Sequence, residues 1–340
     1  MRTDIDESRL DPTTSGLERL GHSERSAAGM VTRAELDAPP PTLVIGSPSS
    51  RLDRATGTRE EAAFFGPGPW RRFGVLHAPI DEPVAGWVIC GPYQAEVQRH
   101  YRREVLLARR LSEMGIAAQR FHYVGFGHSD GDPSAATLDT MREDALAAAD
   151  QLVRTTGLTT VGFLGTRWGG LVAASAVAAR GGRLVLWEPV VDPARYFDEI
   201  FRFLIMYRMK EDPATPMSET SVLDGLRRDG SVDVLGHSVD LALYESAIGI
   251  GLDGSVADSA DDALLIQIAV GKSLRPEYAS LVESWTQRGL DTRTHVIRDT
   301  ETWWISGHRW PIHEVHAPTT KLLELTTDWI TERLGSDASR

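Results

Sequence analysis

The chain has 340 residues, 41% of them hydrophobic and 25% charged, which is enough to bury one large core in a single domain carrying an insertion. A formal net charge of −12 argues against a nucleic-acid surface, because phosphate-backbone affinity rests on clustered Lys and Arg. The single cysteine, Cys90, excludes a disulfide framework and a cysteine-based zinc site. No His, Asp and Glu cluster has ligand spacing, so no metal and no cofactor are expected.

The segment from Met1 to about Pro41 is charged and rich in Ser, Thr and Pro, without the apolar run of a signal peptide. Nothing approaches the ~20 apolar residues that span a bilayer, so a soluble, cytoplasmic protein without membrane insertion is expected. Residues 1–55 read as a disordered or loosely attached tail, and residues 56–340 as the folded domain. Ala62 to Phe65 and Arg72 to Leu76 form an opening hairpin around a Gly-Pro turn. Gly86 to Cys90 is a buried-type strand, with Cys90 a small hydrophobe inside it, and Arg99 to Met114 has helical spacing.

Alternation continues with a strand over Ile116–Tyr123, a helix over Ser134–Val153, a strand over Thr160–Leu164, a helix over Trp168–Ala179 and a strand over Arg183–Trp187. Such alternation implies a mostly parallel, eight-stranded sheet covered by helices. Between about Asp192 and Asp261 the regularity breaks into amphipathic segments, Tyr196–Met209 and Leu241–Ile250, and about 192–260 reads as a helical cap insertion. The strand Ala263–Val270, a helix over Pro276–Gln287, the strand Thr292–Ile297 and a helix over Thr319–Leu334 complete the pattern.

Gly165-Thr166-Arg167-Trp168-Gly169-Gly170 sits where a strand turns sharply into a helix, with glycines permitting a strained backbone and close helix packing. This is the nucleophile elbow of the α/β-hydrolase fold, with Arg167 at the position of the serine. A guanidinium is not deprotonated at physiological pH and cannot attack a carbonyl, so acyl-enzyme chemistry at Arg167 is excluded. A literal Gly-x-Ser-x-Gly occurs as Gly127-His128-Ser129-Asp130-Gly131, but Ser129 runs into Asp130-Gly131-Asp132-Pro133 instead of opening a helix, and reads as a decoy.

An oxyanion hole in this fold would use the N–H of Trp168 and one from the loop Gly91-Pro92-Tyr93-Gln94-Ala95-Glu96, with Tyr93 as donor and Gln94 and Glu96 beside it. Glu188, at the end of the strand Leu184–Trp187, is the candidate carboxylate, since Gly271-Lys272-Ser273 after the next strand offers none. Of His308, His313 and His316, His308 is the candidate base. Arg167 could bind a carboxylate or phosphate at the helix start, or be neutralised by Glu188 or Glu96 in an internal ion pair that plugs the site.

Several segments together resemble exosortase system-associated hydrolases of the second type, within the serine-aminopeptidase-like α/β-hydrolases. Pro92-Tyr93-Gln94-Ala95-Glu96 with Arg102-Arg103 is similar to that group's Pro-Phe-Ala-Glu-Glu stretch and basic helix. Tyr123 to Asp132 resembles its Gly-Cys-Gly-Asp-Ser-x-Gly loop, Gly165 to Gly169 its Gly-Leu-Arg-Leu-Gly elbow, and Leu186 to Val190 its Leu-Trp-Gln-Pro-Val strand end. Val234-Leu235-Gly236-His237 and Trp303-Trp304 match more weakly, and Glu188 and Trp303 depart from the group's glutamine and phenylalanine. The resemblance implies an α/β-hydrolase fold and an association with exopolysaccharide export, and says little of the substrate. The residues themselves suggest a protein without serine-hydrolase activity that binds an anionic or acyl-type small molecule beneath the cap through Arg167, Tyr93, Trp168 and Glu188. The alternative is an ester or amide hydrolase using direct water attack, with His308 as base, Glu188 orienting it, and Arg167 assisting the oxyanion hole.

Overall fold

The structure, a computed structural model, describes residues 49–212, 217–234, 236–252, 255–299 and 317–337. Three strands open it, β1 (Ser49–Asp53), β2 (Thr58–Phe65) and β3 (Arg72–Pro79). Strands and helices then alternate as β4 (Ala85–Cys90), α1 (Ala95–Glu113), β5 (Ile116–Phe121), α2 (Leu138–Thr156), β6 (Gly162–Thr166), α3 (Trp168–Arg180) and β7 (Gly182–Trp187). After β7 come α4 (Pro193–Glu211), α5 (Glu219–Asp229), β8 (Ser231–Val234), β9 (His237–Asp240), α6 (Leu241–Ala247) and α7 (Val256–Ser259). The chain closes with β10 (Ala260–Ala269), α8 (Pro276–Gln287), β11 (Thr292–Arg298) and α9 (Ala317–Asp337).

The main sheet runs β1-β2-β3-β5-β4-β6-β7-β10-β11 and is parallel from β5 onward. It has nine strands, one more than the sequence suggested, and the extra one is β1. Ser49 to Asp53 pair antiparallel with Thr58 to Ala62, inside the stretch expected to be tail. Four of its five side chains are exposed, so this edge strand shows no apolar alternation. What signals it is the turn, where Asp53 accepts a hydrogen bond from the Ala55 N–H at 3.0 Å and Gly57 takes φ +69°.

The central strands are apolar on both sides because both faces are covered. Val88, Phe163, Leu184 and Leu265 face a core shared with α2 and α3. Ile89, Leu164, Val185 and Leu264 face a second core shared with α1 and α9. On that side the Trp187 indole donates to Thr326 Oγ1 at 2.9 Å. β7 pairs directly with β10, from Leu184 with Ala263 to Trp187 with Ile266, so everything between them leaves the sheet and returns. That excursion contains α4, α5 and α6 together with a short β8–β9 hairpin whose four-residue strands gave too little alternation to be read. No helix among the described residues is long and apolar enough to cross a membrane.

The elbow depends on missing side chains. A Cβ on Gly165 would strike the Gly169 carbonyl, and one on Gly169 would strike the carbonyls of Cys90 and Gly91. Helix α3 therefore lies directly on backbone, against the end of β4. Gly169→Ala is expected to lower the unfolding free energy by about 3 kcal/mol. Urea denaturation checks this, and a loss under about 1 kcal/mol would mean the elbow is loosely packed.

Candidate functional site

Arg167 ends β6 and caps α3 with φ +53° and ψ −118°. Its backbone N–H donates to the Trp187 carbonyl at 3.0 Å, and its carbonyl accepts from Gly170 at 2.9 Å and Val190 at 3.1 Å, so the turn is locked to the end of β7. The residue is 5% exposed. Its Nε donates to Glu96 Oε1 at 3.2 Å, one Nη approaches the Glu188 carbonyl oxygen at 3.5 Å, and the guanidinium lies 5.6 Å from the Tyr196 ring centre. Burial opposes the charge on Arg167, but Glu96, with the dipoles and charges around it, outweighs burial and holds the guanidinium protonated. Burial raises the Glu96 carboxyl while Arg167 and Tyr196 pull it down, and Oε2 of Glu96 has no hydrogen-bond partner among the described residues.

Glu188 follows β7 with φ +48° and is fully buried. Its carboxylate accepts from the Ile268 N–H and from Arg275 Nη2, and the Tyr278 hydroxyl lies 3.3 Å away. Burial pushes this carboxyl up against the pull of Arg275, the Ile268 N–H and Arg167. Of the two carboxylates suggested as partners for Arg167, the ion pair is made by Glu96; Glu188 offers its carbonyl and spends its carboxylate on Arg275.

Tyr93 and Gln94 tie the end of β4 to the hairpin beyond β7. The Tyr93 hydroxyl donates to the Ser238 carbonyl at 3.0 Å, and Gln94 Nε2 donates to the same oxygen at 2.6 Å. Burial raises the Tyr93 phenol. The Trp168 ring is completely buried among Tyr93, Tyr196 and Phe197, with its indole N–H directed at Met141 Sδ 3.2 Å away. His308, like His313 and His316, lies outside the described residues. Ser129 is engaged structurally: its hydroxyl donates to the His122 carbonyl at 2.7 Å and accepts from the Phe73 N–H at 2.9 Å, holding the loop after β5 to β3.

A cavity of about 150 Å³ opens beside Arg167. Three helix N-cap residues line it: Arg167 of α3, Asp192 of α4 and Arg275 of α8. Arg195 adds a third guanidinium, in loose pairs with Glu199 at 3.5 Å and Glu277 at 3.9 Å. Sequence reading missed Arg195 and Arg275. The segment after β10 was searched for an acid, whereas its contribution is a cation two residues beyond Ser273. Among the described residues no group of three or more His, Cys, Asp and Glu is gathered as a metal site.

The sheet order, the glycine-walled elbow and the excursion between β7 and β10 define the α/β-hydrolase fold. Residues 97–226 match the family model described as serine aminopeptidase, S33. The solved structure of Est1E from Butyrivibrio proteoclasticus is similar with a TM-score of 0.56 and 16% identity, over 81% of this chain and 99% of that one. A thermostable carboxyl esterase from Bacillus coagulans is similar with a TM-score of 0.52 and 16% identity, over 81% and 99%. No curated protein matches the chain.

Removing one partner from a buried pair leaves the other uncompensated. In Arg167→Met the Glu96 carboxyl is raised further above its ordinary 4.5, so the native state retains a proton that the unfolded chain releases. The loss of stability therefore grows as pH rises above that value. The expected deficit is about 3 kcal/mol at a pH of about 8 and clearly smaller at a pH of about 5, measured by urea unfolding at both. A deficit that does not vary with pH would show that Glu96 is not the partner that matters.

Proposed function

We propose that this chain is a hydrolase-fold protein without serine-hydrolase chemistry, and that it binds an anionic small molecule in the cavity at the elbow as an accessory protein. The observation that carries the reading is the meeting of three helix N-terminal ends and three guanidinium groups around one small cavity. Helix N-termini favour negative charge, and planar guanidinium groups match carboxylate and phosphate oxygens. Acids are present too, since Asp192, Glu199 and Glu277 line the same space. Glu199 and Glu277 hold Arg195 only at 3.5–3.9 Å, pairs that an incoming oxyanion can exchange at little cost. The volume suits a carboxylate or phosphate head group.

Two further features support the absence of acyl-enzyme chemistry. Arg167 occupies the nucleophile position, and Ser129 uses its hydroxyl between two backbone groups. The alternative of direct water attack requires Glu188 to orient a histidine, and Arg275, Tyr278 and the Ile268 N–H already engage that carboxylate. Kinship with exosortase system-associated hydrolases of the second type, and with it a place in exopolysaccharide export, is part of the same proposal and rests on the elbow and loop motifs. A cytoplasmic location accords with it.

Intact-mass labelling with a fluorophosphonate, run beside Ser129→Ala and Arg167→Ser, tests the reading. Wild type is expected to remain unlabelled and inert toward simple esters, and to gain thermal stability with millimolar phosphate or acetate through Arg195 and Arg275. Labelling of wild type that disappears in Ser129→Ala would establish an ordinary serine hydrolase and end the proposal. Wild-type protein that gains no stability from either anion, or gains as much after Arg195→Ala with Arg275→Ala, would remove the anion site.

A further inference from the structure

A cavity larger than the one at the elbow lies elsewhere among the described residues. It has a volume of about 390 Å³ and lies among β3, the start of α1, the end of β5 with its following loop, and β9. It shares no lining residue with the elbow cavity. Rings dominate its wall, including Phe73, Tyr93, Tyr101, Phe121, Tyr123 and Phe126. Apolar cavities of this size with a few convergent polar groups are the usual form of small-molecule sites.

The polar group that stands out is Glu104, on α1 and only 6% exposed. Its Oε1 has no hydrogen-bond partner among the described residues. The nearest cation in the wall, Arg120, directs its Nε to His77 Nε2 at 3.1 Å and lies over the Tyr101 ring at 4.9 Å. The Tyr123 hydroxyl, which could have served Glu104, donates instead to the Gly91 carbonyl at 3.0 Å. A buried acceptor without a donor costs free energy that a ligand hydroxyl or N–H would recover.

We propose that this cavity is a second binding site, separate from the elbow, for a flat aromatic molecule whose hydrogen-bond-donating head group reaches Glu104. The rings supply faces and edges for stacking, worth more than their buried area alone. Glu104 supplies orientation and selectivity, because a site built around an acceptor discriminates against an analogue lacking the donor. The carboxyl is held up at about 7 by burial, with Arg120 opposing, and it faces the Cys90 thiol and the Tyr123 phenol, both themselves raised by burial. It is thus ionised, and an acceptor only, at pH values above that.

The test uses the whole chain and 2-naphthol, whose fluorescence reports transfer into an apolar site, with 2-methoxynaphthalene as the analogue lacking a donor. Wild type is expected to bind 2-naphthol saturably and about ten-fold more tightly than the methyl ether, a gap of the size a single oriented hydrogen bond gives. Glu104→Leu should close the gap while leaving the ether's affinity in place. Val97→Trp, which fills the cavity from an exposed position on α1, should weaken both. Millimolar phosphate, which would occupy the elbow cavity, should change neither, which keeps this site distinct from the elbow reading. Equal affinity for the two compounds in wild type, a gap that survives Glu104→Leu, or binding displaced by millimolar phosphate would each overturn the proposal, as would no binding of either compound.

Discussion

A guanidinium buried at the end of a parallel strand must be neutralised, and that requirement organises the edge of the sheet formed by the carboxyl ends of its parallel strands. Arg167 is placed by the elbow backbone, not by its side chain, so its neighbours have to come to it. Glu96 comes from the first turn of α1, the Glu188 carbonyl from the end of β7, and the Tyr196 ring from α4. Glu188, drawn in by its backbone, then needs a partner for its own carboxylate, and Arg275 at the start of α8 provides it. One buried charge thereby fixes the relative positions of four elements. Compensation of this kind does not by itself add stability over an apolar core, but removing either member is costly.

The backbone records the same constraint. Among the described residues the non-glycine positions with φ near +50° are Gln94, Arg167 and Glu188, and each follows a parallel strand at the edge where ligands gather in open α/β sheets. Such conformations cost of order 1–3 kcal/mol each and persist where the surroundings over-determine them. Here the determinants are visible: the Arg167 N–H and carbonyl bond to the β7 end, the Glu188 N–H donates to Ile266 at 2.9 Å, and Gln94 is held by the Ser238 carbonyl. The molecule retains the strained geometry of a nucleophile elbow while carrying a side chain that cannot be a nucleophile.

Much of this was legible in sequence, and the reasons differ from place to place. The parallel strands could be read because burial on both faces makes them continuous apolar runs, and the elbow because its glycines are demanded by backbone contacts at Gly165 and Gly169. Ser129 reads as a decoy in sequence because it opens no helix, and its hydroxyl is engaged by two backbone groups. Strand β1 was hidden because an exposed edge strand needs no hydrophobic pattern, and the β8–β9 hairpin because four residues carry too short a period. Arg195 and Arg275 were hidden for a different reason: a long cation reaches a site from an element whose own sequence is ordinary, and only the packing of α4 and α8 brings them beside Arg167. Glu104 was missed because on α1 it is one charged residue among many, and its burial depends on the inward face of a helix rich in Arg and Glu.

The two cavities are separated by a row of rings. Phe126 packs on Tyr93 at 5.7 Å, Tyr93 on Trp168 at 5.8 Å, and Trp168 on Tyr196 at 5.4 Å between centres. Tyr93 and Phe126 line the larger cavity, and Tyr196 lines the elbow cavity. Trp168 stands between them, fully buried, its N–H taken by Met141 and its backbone opening α3. A residue that begins the elbow helix cannot move without moving the elbow, so this wall is as fixed as the turn that carries Arg167. A protein with a serine at the elbow has reason to join such spaces, since the acyl and leaving groups of one substrate must both reach the nucleophile. With an arginine there and a wall of rings between them, nothing requires one ligand to occupy both: one space is lined by helix ends with three guanidinium groups and three carboxylates, the other by aromatic faces and a buried acid.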